Sequence, residues 1–250
     1  MSTHATRFDT PSGRAILDFA MSLSGISAST HALQAILLRQ DVTADNLTNV
    51  STPGFKRRLA GGQGADFSQG PLEATGETAT NAFDLAVQGE GFFKAQSGDG
   101  AVYLRAGVFG LDAHRELVTP QGYKLSPTIR LPADATGFSV RGDGTVLAGR
   151  PNGSQTAVGQ ITLTRFPNPA GLLNAGGSAY APFPAAGLPR DGVPGTAGFG
   201  TLVTGALEGS NVDLAMETVA SLRNLRSFQV NARMIRAQDD MLGTLLDVRH

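Results

Sequence analysis

Few residues in this chain are of the types, or at the spacings, that do chemistry. Cysteine is absent, which excludes disulfides, thiol catalysis, Cys-ligated zinc and iron–sulfur clusters. The histidines, His4, His31, His114 and His250, are scattered, and none has a second ligand at helical spacing, so no metal or other cofactor is expected. Glu73, Glu77 and Glu90 are the carboxylates a hydrolase would draw on, but no spacing selects a pair from them. Gly89-Glu90-Gly91 shares glycines with a nucleotide loop, yet Phe92-Phe93 continues a strand where that loop needs a third glycine and a helix. It reads as a tight β turn. Asp99 and Asp143 are isolated turn aspartates rather than parts of a calcium loop. Lys56-Arg57-Arg58 reads as a solvated linker or as salt-bridge donors to a neighbouring subunit. With no catalytic constellation, the expectation is a protein that is not an enzyme.

The elements that carry these residues differ in texture. Residues 12–49 contain Gly13 and Gly25 as their glycines. Ile16, Phe19, Leu23, Ile26, Thr30, Leu33, Leu37, Gln40, Ala44 and Leu47 fall there on alternating steps of three and four, a heptad seam. Asp9, Thr10 or Ser12 would cap its start, and Pro53-Gly54 stops it. Residues 211–248 repeat the pattern with Leu225, Phe228, Ala232, Ile235, Leu242 and Leu246, and Asn211 or Ser210 would cap them. Each end predicts a rod of roughly 50 Å at ~1.5 Å per residue. Arg223, Arg226, Arg233 and Arg236 beside the second stripe are expected to pair with Asp18, Asp41 and Asp45 of the first helix.

Between the helices lies most of the glycine and proline of a chain that has 32 and 13 of them. Leu85-Ala86-Val87, Gly91-Phe92-Phe93, Val102-Tyr103-Leu104, Phe138-Ser139-Val140, Thr145-Val146-Leu147 and Gln160-Ile161-Thr162-Leu163-Thr164 alternate with Asp99-Gly100, Asp143-Gly144 and Asn152-Gly153, which are strong hairpin signals. Residues 166–200 read as extended loops. The expected fold class is α+β: long N- and C-terminal heptad helices forming a coiled-coil-like inner layer, and a central all-β domain. The expected domains are an N-terminal tail (1–13), a discontinuous helical core (14–50 and 210–250), a connecting segment (51–70) and a β-rich outer domain (71–209).

Charge narrows the partners. Lys and Arg total 20 against 21 Asp and Glu, a net charge of −1. A global grip on nucleic acid or anionic membrane is therefore not expected. Charged residues are only 16% of the chain, which opposes self-association weakly and suits a chain that ends in an assembly. No run of 18 apolar residues exists, so no membrane insertion is expected. Residues 1–14 lack the apolar segment of a secretory signal, which alone would predict the cytoplasm.

A resemblance changes that last expectation. Ala44-Asp45-Asn46-Leu47-Thr48-Asn49-Val50-Ser51-Thr52-Pro53-Gly54-Phe55-Lys56 resembles the A-N-N-L-A-N-x-x-T-x-G-F-K signature of bacterial flagellar rod and hook proteins. Leu85 to Phe93 resembles that family's L-A-I-x-G-x-G-F-F strand, and Tyr103 to Phe109 its Y-T-R-x-G-x-F. Gly205 to Val212 resembles its G-x-L-E-x-S-N-V, and Asp239-Asp240-Met241-Leu242 its closing D-x-M-L. The motif residues are Asn46, Leu47, Asn49, Thr52, Gly54, Phe55, Gly91, Phe92, Ser210 and Asn211. Asp45 departs from the usual Asn, and the region before the signature is longer than usual. The chain is most similar to the distal-rod type, then to the proximal-rod type.

The resemblance implies a structural subunit of the flagellar basal-body rod. Its partners would be copies of itself, other rod and hook proteins, the type III export apparatus and the P- and L-ring bushing. It would be exported to the periplasmic rod without a cleaved signal peptide. On this reading the assembly interface is Leu23, Ile26, Leu33, Leu37 and Leu47 with Leu225, Phe228, Ile235, Leu242 and Leu246. A hook-type subunit and a periplasmic β-domain hydrolase are the alternatives.

Overall fold

The computed structural model describes residues 13–59, 72–74, 83–98, 100–176 and 178–247, with the side chains of 13–24, 26, 72–74, 242 and 244–247 left aside. The expected caps Asp9, Thr10 and Ser12 lie outside the described residues, as do Asp99 and Glu77. Two long helices bracket a β region: α1, Gly13–Thr48, and α2, Leu214–Asp247. The α+β class is therefore as the texture of the sequence implies. The chain divides into two compact units, one holding α1 up to Thr43 and α2 from Thr218, the other residues 44–217.

Residues 44–217 hold the sheets, and every strand pairing in them is antiparallel. Strand Phe92–Ser97 pairs with Gly100–Leu104, which pairs in turn with Ala179–Ala181. Side chains alternate across these strands. Phe93, Val102 and Leu104 face one core with Leu85, Val87, Phe109, Val146, Ile161 and Leu163. Phe92 and Tyr103 face a second core with Phe166, Leu172, Tyr180 and Ala186. Phe93 meets Phe109 edge-on at 5.4 Å between centroids, and Tyr103 meets Phe166 at 4.7 Å. Burial on both faces explains why these strands read as apolar runs rather than as a clean alternation.

The second core overturns the reading of residues 166–200 as extended loops. Leu173–Gly176, Ala179–Ala181 and Arg190–Gly192 are strands. Tyr180 and Leu172 supply the apolar area that holds them down, although the surrounding prolines and glycines mask the signal.

The hairpin turns form where their dipeptides stand. Asp143-Gly144 joins Gly137–Val140 to Thr145–Gly149, and Asn152-Gly153 joins the latter to Gln155–Gln160. Asp143 Oδ1 accepts the Thr145 N–H at 2.9 Å. That backbone bond holds the Asp143 carboxyl below its usual range. A depressed native pKa stabilises the fold above the unfolded carboxylate range and loses that effect as pH falls through the native value. Asp143→Ala is therefore expected to lower the melting temperature at pH 7, and the gap to the parent should close as melts are repeated toward pH 2.5.

Candidate functional site

Four of the sequence motifs, all but the closing Asp239-Asp240-Met241-Leu242, contribute residues to one buried cluster inside the 44–217 unit. Its centre is the Glu208 carboxylate, fully buried. One oxygen accepts from Lys56 Nζ at 2.6 Å, and the other pairs with the Arg105 guanidinium. Lys56 and Arg105 are buried as well. Arg105 donates three further N–H groups to the carbonyls of Val87, Gly89 and Gly91. This caps the turn predicted at Gly89-Glu90-Gly91, where Gly89 and Gly91 have φ of +109° and +133°. Tyr180 closes the cluster: burial pushes its phenol well above the usual range, and the Lys56 backbone N–H pulls it back only in part.

The stretch from α1 into this cluster is held by its own side chains. Asn46, buried, pairs its whole carboxamide with Arg58: Oδ1 accepts the Arg58 N–H at 2.7 Å, and Nδ2 donates to the Arg58 carbonyl at 3.1 Å. Asn49 donates to the Asp45 carbonyl and accepts from the Thr52 hydroxyl, closing the turn beyond the helix. Gly54 sits at φ +67° and donates to the Glu208 carbonyl at 2.6 Å. A Cβ there would lie 2.5 Å from the Ala106 nitrogen, so only glycine fits. Phe55 is buried beside it, and Leu47 is half-buried. On the return side, Ser210 Oγ accepts the Val212 N–H, and Asn211 Oδ1 accepts the Arg57 N–H at 2.7 Å.

Three expectations are corrected here. Lys56-Arg57-Arg58 is no solvated linker. Each cation has a carboxylate of its own chain: Lys56 with Glu208, Arg57 with Glu217 at 2.5 Å, Arg58 with Asp45 at 2.9 Å. The departure at Asp45 thereby acquires a partner, and Asp45 turns to Arg58 rather than to an arginine of α2. The cap of α2 is Asp213, whose Oδ1 accepts the Met216 N–H at 3.0 Å. Asn211 and Ser210 lie too early to cap, and Asn211 serves the cluster instead.

In the helical unit the expected stripe is partly displaced. On α1, Leu33, Gln40 and Leu47 are half-buried, but Thr30, Leu37 and Ala44 are exposed, and Ser29, Ile36 and Thr43 take the buried places. On α2, Ile235 and Ala232 are half-buried while Leu225 is 53% and Phe228 37% exposed. The less exposed positions of α2 include Ser221, Asn224, Asn231 and Gln238. Consecutive apolar residues such as Ile36, Leu37 and Leu38 serve two adjacent stripes, so spacing alone cannot choose between them. The side chains of Leu23, Ile26, Leu242 and Leu246 lie outside those described.

A cleft of about 370 Å³ runs beside Glu90, Phe92, Arg165 and Pro167. Its carboxylate, Glu90, is already ion-paired with Arg165. Among the described residues that line the cleft Glu90 is the one carboxylate, where glycoside cleavage uses two; Glu77 and the Glu73 side chain lie outside the described residues.

Three family profiles match along the chain: "Flagella basal body rod protein" at residues 26–56, "Flagellar hook protein FlgE/F/G D1 domain" at 86–148, and "Flagellar basal body rod FlgEFG protein C-terminal" at 203–248. The flagellar basal-body rod protein FlgG of Buchnera aphidicola (Schizaphis graminum) is 33% identical over 254 residues, covering 87% of this chain and 96% of that protein. FlgG of Bacillus subtilis is 32% identical over 261 residues, covering 90% and 97%. The hook protein FlgE of Escherichia coli is 38% identical over 131 residues, covering 52% of this chain and 31% of that protein. The chain belongs to the flagellar basal-body rod protein family, on its distal-rod side. It is a structural subunit of the rod, and the short match to the hook protein supports the hook alternative less.

Removing the Glu208 charge leaves two cations buried without their anion. Glu208→Gln is expected to destabilise the protein by about 3–5 kcal/mol in urea denaturation. Adding Lys56→Met to Glu208→Gln removes one of the two unpaired cations and leaves Arg105 on its three carbonyls, so it should recover part of that loss.

Proposed function

We propose that the chain acts by polymerising, with no catalysis of its own, into the tube that carries torque along the rod and encloses the export channel. The two helices form the coiled-coil-like inner layer, and residues 71–209 face outward. The observation that carries this reading is apolar surface on the helical unit. Leu37, Leu38, Val219, Leu222, Leu225, Val230, Met234 and Met241 are each about half exposed or more. A stable monomer rarely leaves so much aliphatic surface on two helices in water. Burying each such side chain fully contributes roughly 1.5–3 kcal/mol, so several together offset the entropy of ordering the contacts. Leu33, Leu37, Leu47, Leu225, Phe228 and Ile235, with Leu23, Ile26, Leu242 and Leu246, are the proposed interface. Heterologous contacts that do not close generate a helical filament.

The partners follow from the family. Relatives named as rod and hook proteins support neighbours of the same kind, and location in the basal body. Passage through the type III export apparatus without a cleaved signal, periplasmic placement and contact with the P- and L-ring bushing extend the same reading.

Leu37→Asp and Leu225→Asp place a charge on the exposed face without touching the β cores. Each is expected to abolish rod assembly, seen by electron microscopy of basal bodies, and to abolish swimming. The melting of the 44–217 unit should not move. Normal rods in both variants would overturn the proposed interface.

A further inference from the structure

We propose that Gln40 sets the register between α1 and α2. Its carboxamide uses both of its ends: Nε2 donates to Ser221 Oγ at 3.0 Å, and Oε1 accepts from Asn224 Nδ2 at 3.3 Å. Ser221 and Asn224 stand three apart on α2 and so share one face. The three polar residues lie among Ile36, Leu37, Leu225 and Phe228, which line the same slot of about 290 Å³. A second contact occurs further along the pair. Gly25 lies under Gln238, where a Cβ would fall 2.6 Å from Gln238 Nε2. Early and late positions of α1 meet late and early positions of α2, so the helices run antiparallel and two separate contacts define one alignment.

Apolar side chains alone do not demand that alignment. Sliding one helix by a turn, about 5.4 Å, exchanges one aliphatic neighbour for another. Gln40 makes the slide costly, because both of its hydrogen bonds break and its carboxamide is left against apolar walls. A hydrogen-bonded polar residue in a helix seam is a well-attested way to specify alignment, and Gln40, Ser221 and Asn224 stand at less exposed positions of this one. Here the alignment decides at what relative height Leu37, Leu225 and Phe228 are presented. The inference rests on the proposed assembly in that one respect, but the alignment itself is a property of a single chain.

The absence of cysteine makes the test direct. Gly25→Cys with Gln238→Cys reports the observed alignment, and Gly25→Cys with Ile235→Cys reports a slide of one turn. Oxidation is followed in the full-length chain at dilution, with helicity checked by circular dichroism. With Gln40 present, the first pair should cross-link at least about tenfold faster than the second, the ratio expected for loss of one or two hydrogen bonds. Gln40→Leu should bring the two rates to within about threefold while helicity holds. Ser221→Ala with Asn224→Leu should do the same from the other helix, and combining all three should add little. An unchanged preference in both variants overturns the proposal. Sedimentation at the same dilution confirms that the chain is monomeric there, which makes the result independent of the rod-assembly test.

Discussion

The Glu208 carboxylate, sealed from water between Lys56 and Arg105, is the interaction on which the rest of the structure depends. Burying a charge costs several kcal/mol unless geometry and further hydrogen bonds repay it. Here both carboxylate oxygens are ion-paired, and the partners that satisfy them come from distant parts of the chain. Lys56 ends the signature that begins in the last turn of α1, Glu208 stands in the segment that leads to α2, and Arg105 directly follows the strand Gly100–Leu104. Arg105 also holds three carbonyls of the turn before Phe92. Motifs separated by up to 152 positions therefore meet at one carboxylate. A subunit that carries torque, as proposed, gains from such a joint. The path out of the first helix and the path into the second are both fastened to the sheet region by bonds that water cannot replace.

The helical unit follows the opposite logic. Its less exposed positions include Ser29, Gln40, Ser221, Asn224 and Gln238, while leucines, valines and methionines stand in solvent. An isolated helix pair evolved for stability alone would reverse this. The arrangement makes sense for a piece of a larger core, with alignment specified inside and adhesion supplied outside.

Much of this was legible in the residues. The helices, the paired turns at Asp143-Gly144 and Asn152-Gly153, and the strands around Phe93 and Leu104 follow from local periodicity and turn chemistry. Three features did not. Which of two adjacent stripes on α1 is covered depends on the partner helix, since Ile36 and Leu37 are equally apolar. The strands around Tyr180 are short and owe their existence to a second core assembled from distant residues. The ion cluster escaped because nothing local separates Lys56 from the half-buried cations beside it. Only the position of Glu208, far along the chain, does so. The positive φ of Gly54 and the Asn46 carboxamide are likewise tertiary demands that a single sequence displays but does not explain.

Native-state hydrogen exchange at the amides of Gly54, Arg57 and Arg58 is the most direct measurement. These donate to the Glu208 carbonyl, to Asn211 and to Asn46. If the buried cluster is the joint that organises the unit, the three amides exchange only by global unfolding, with the same protection as the amides of Phe93 and Leu104. Exchange at rates typical of surface loops, while the strands stay protected, would show that the segment is merely draped over the sheets and would contradict that claim.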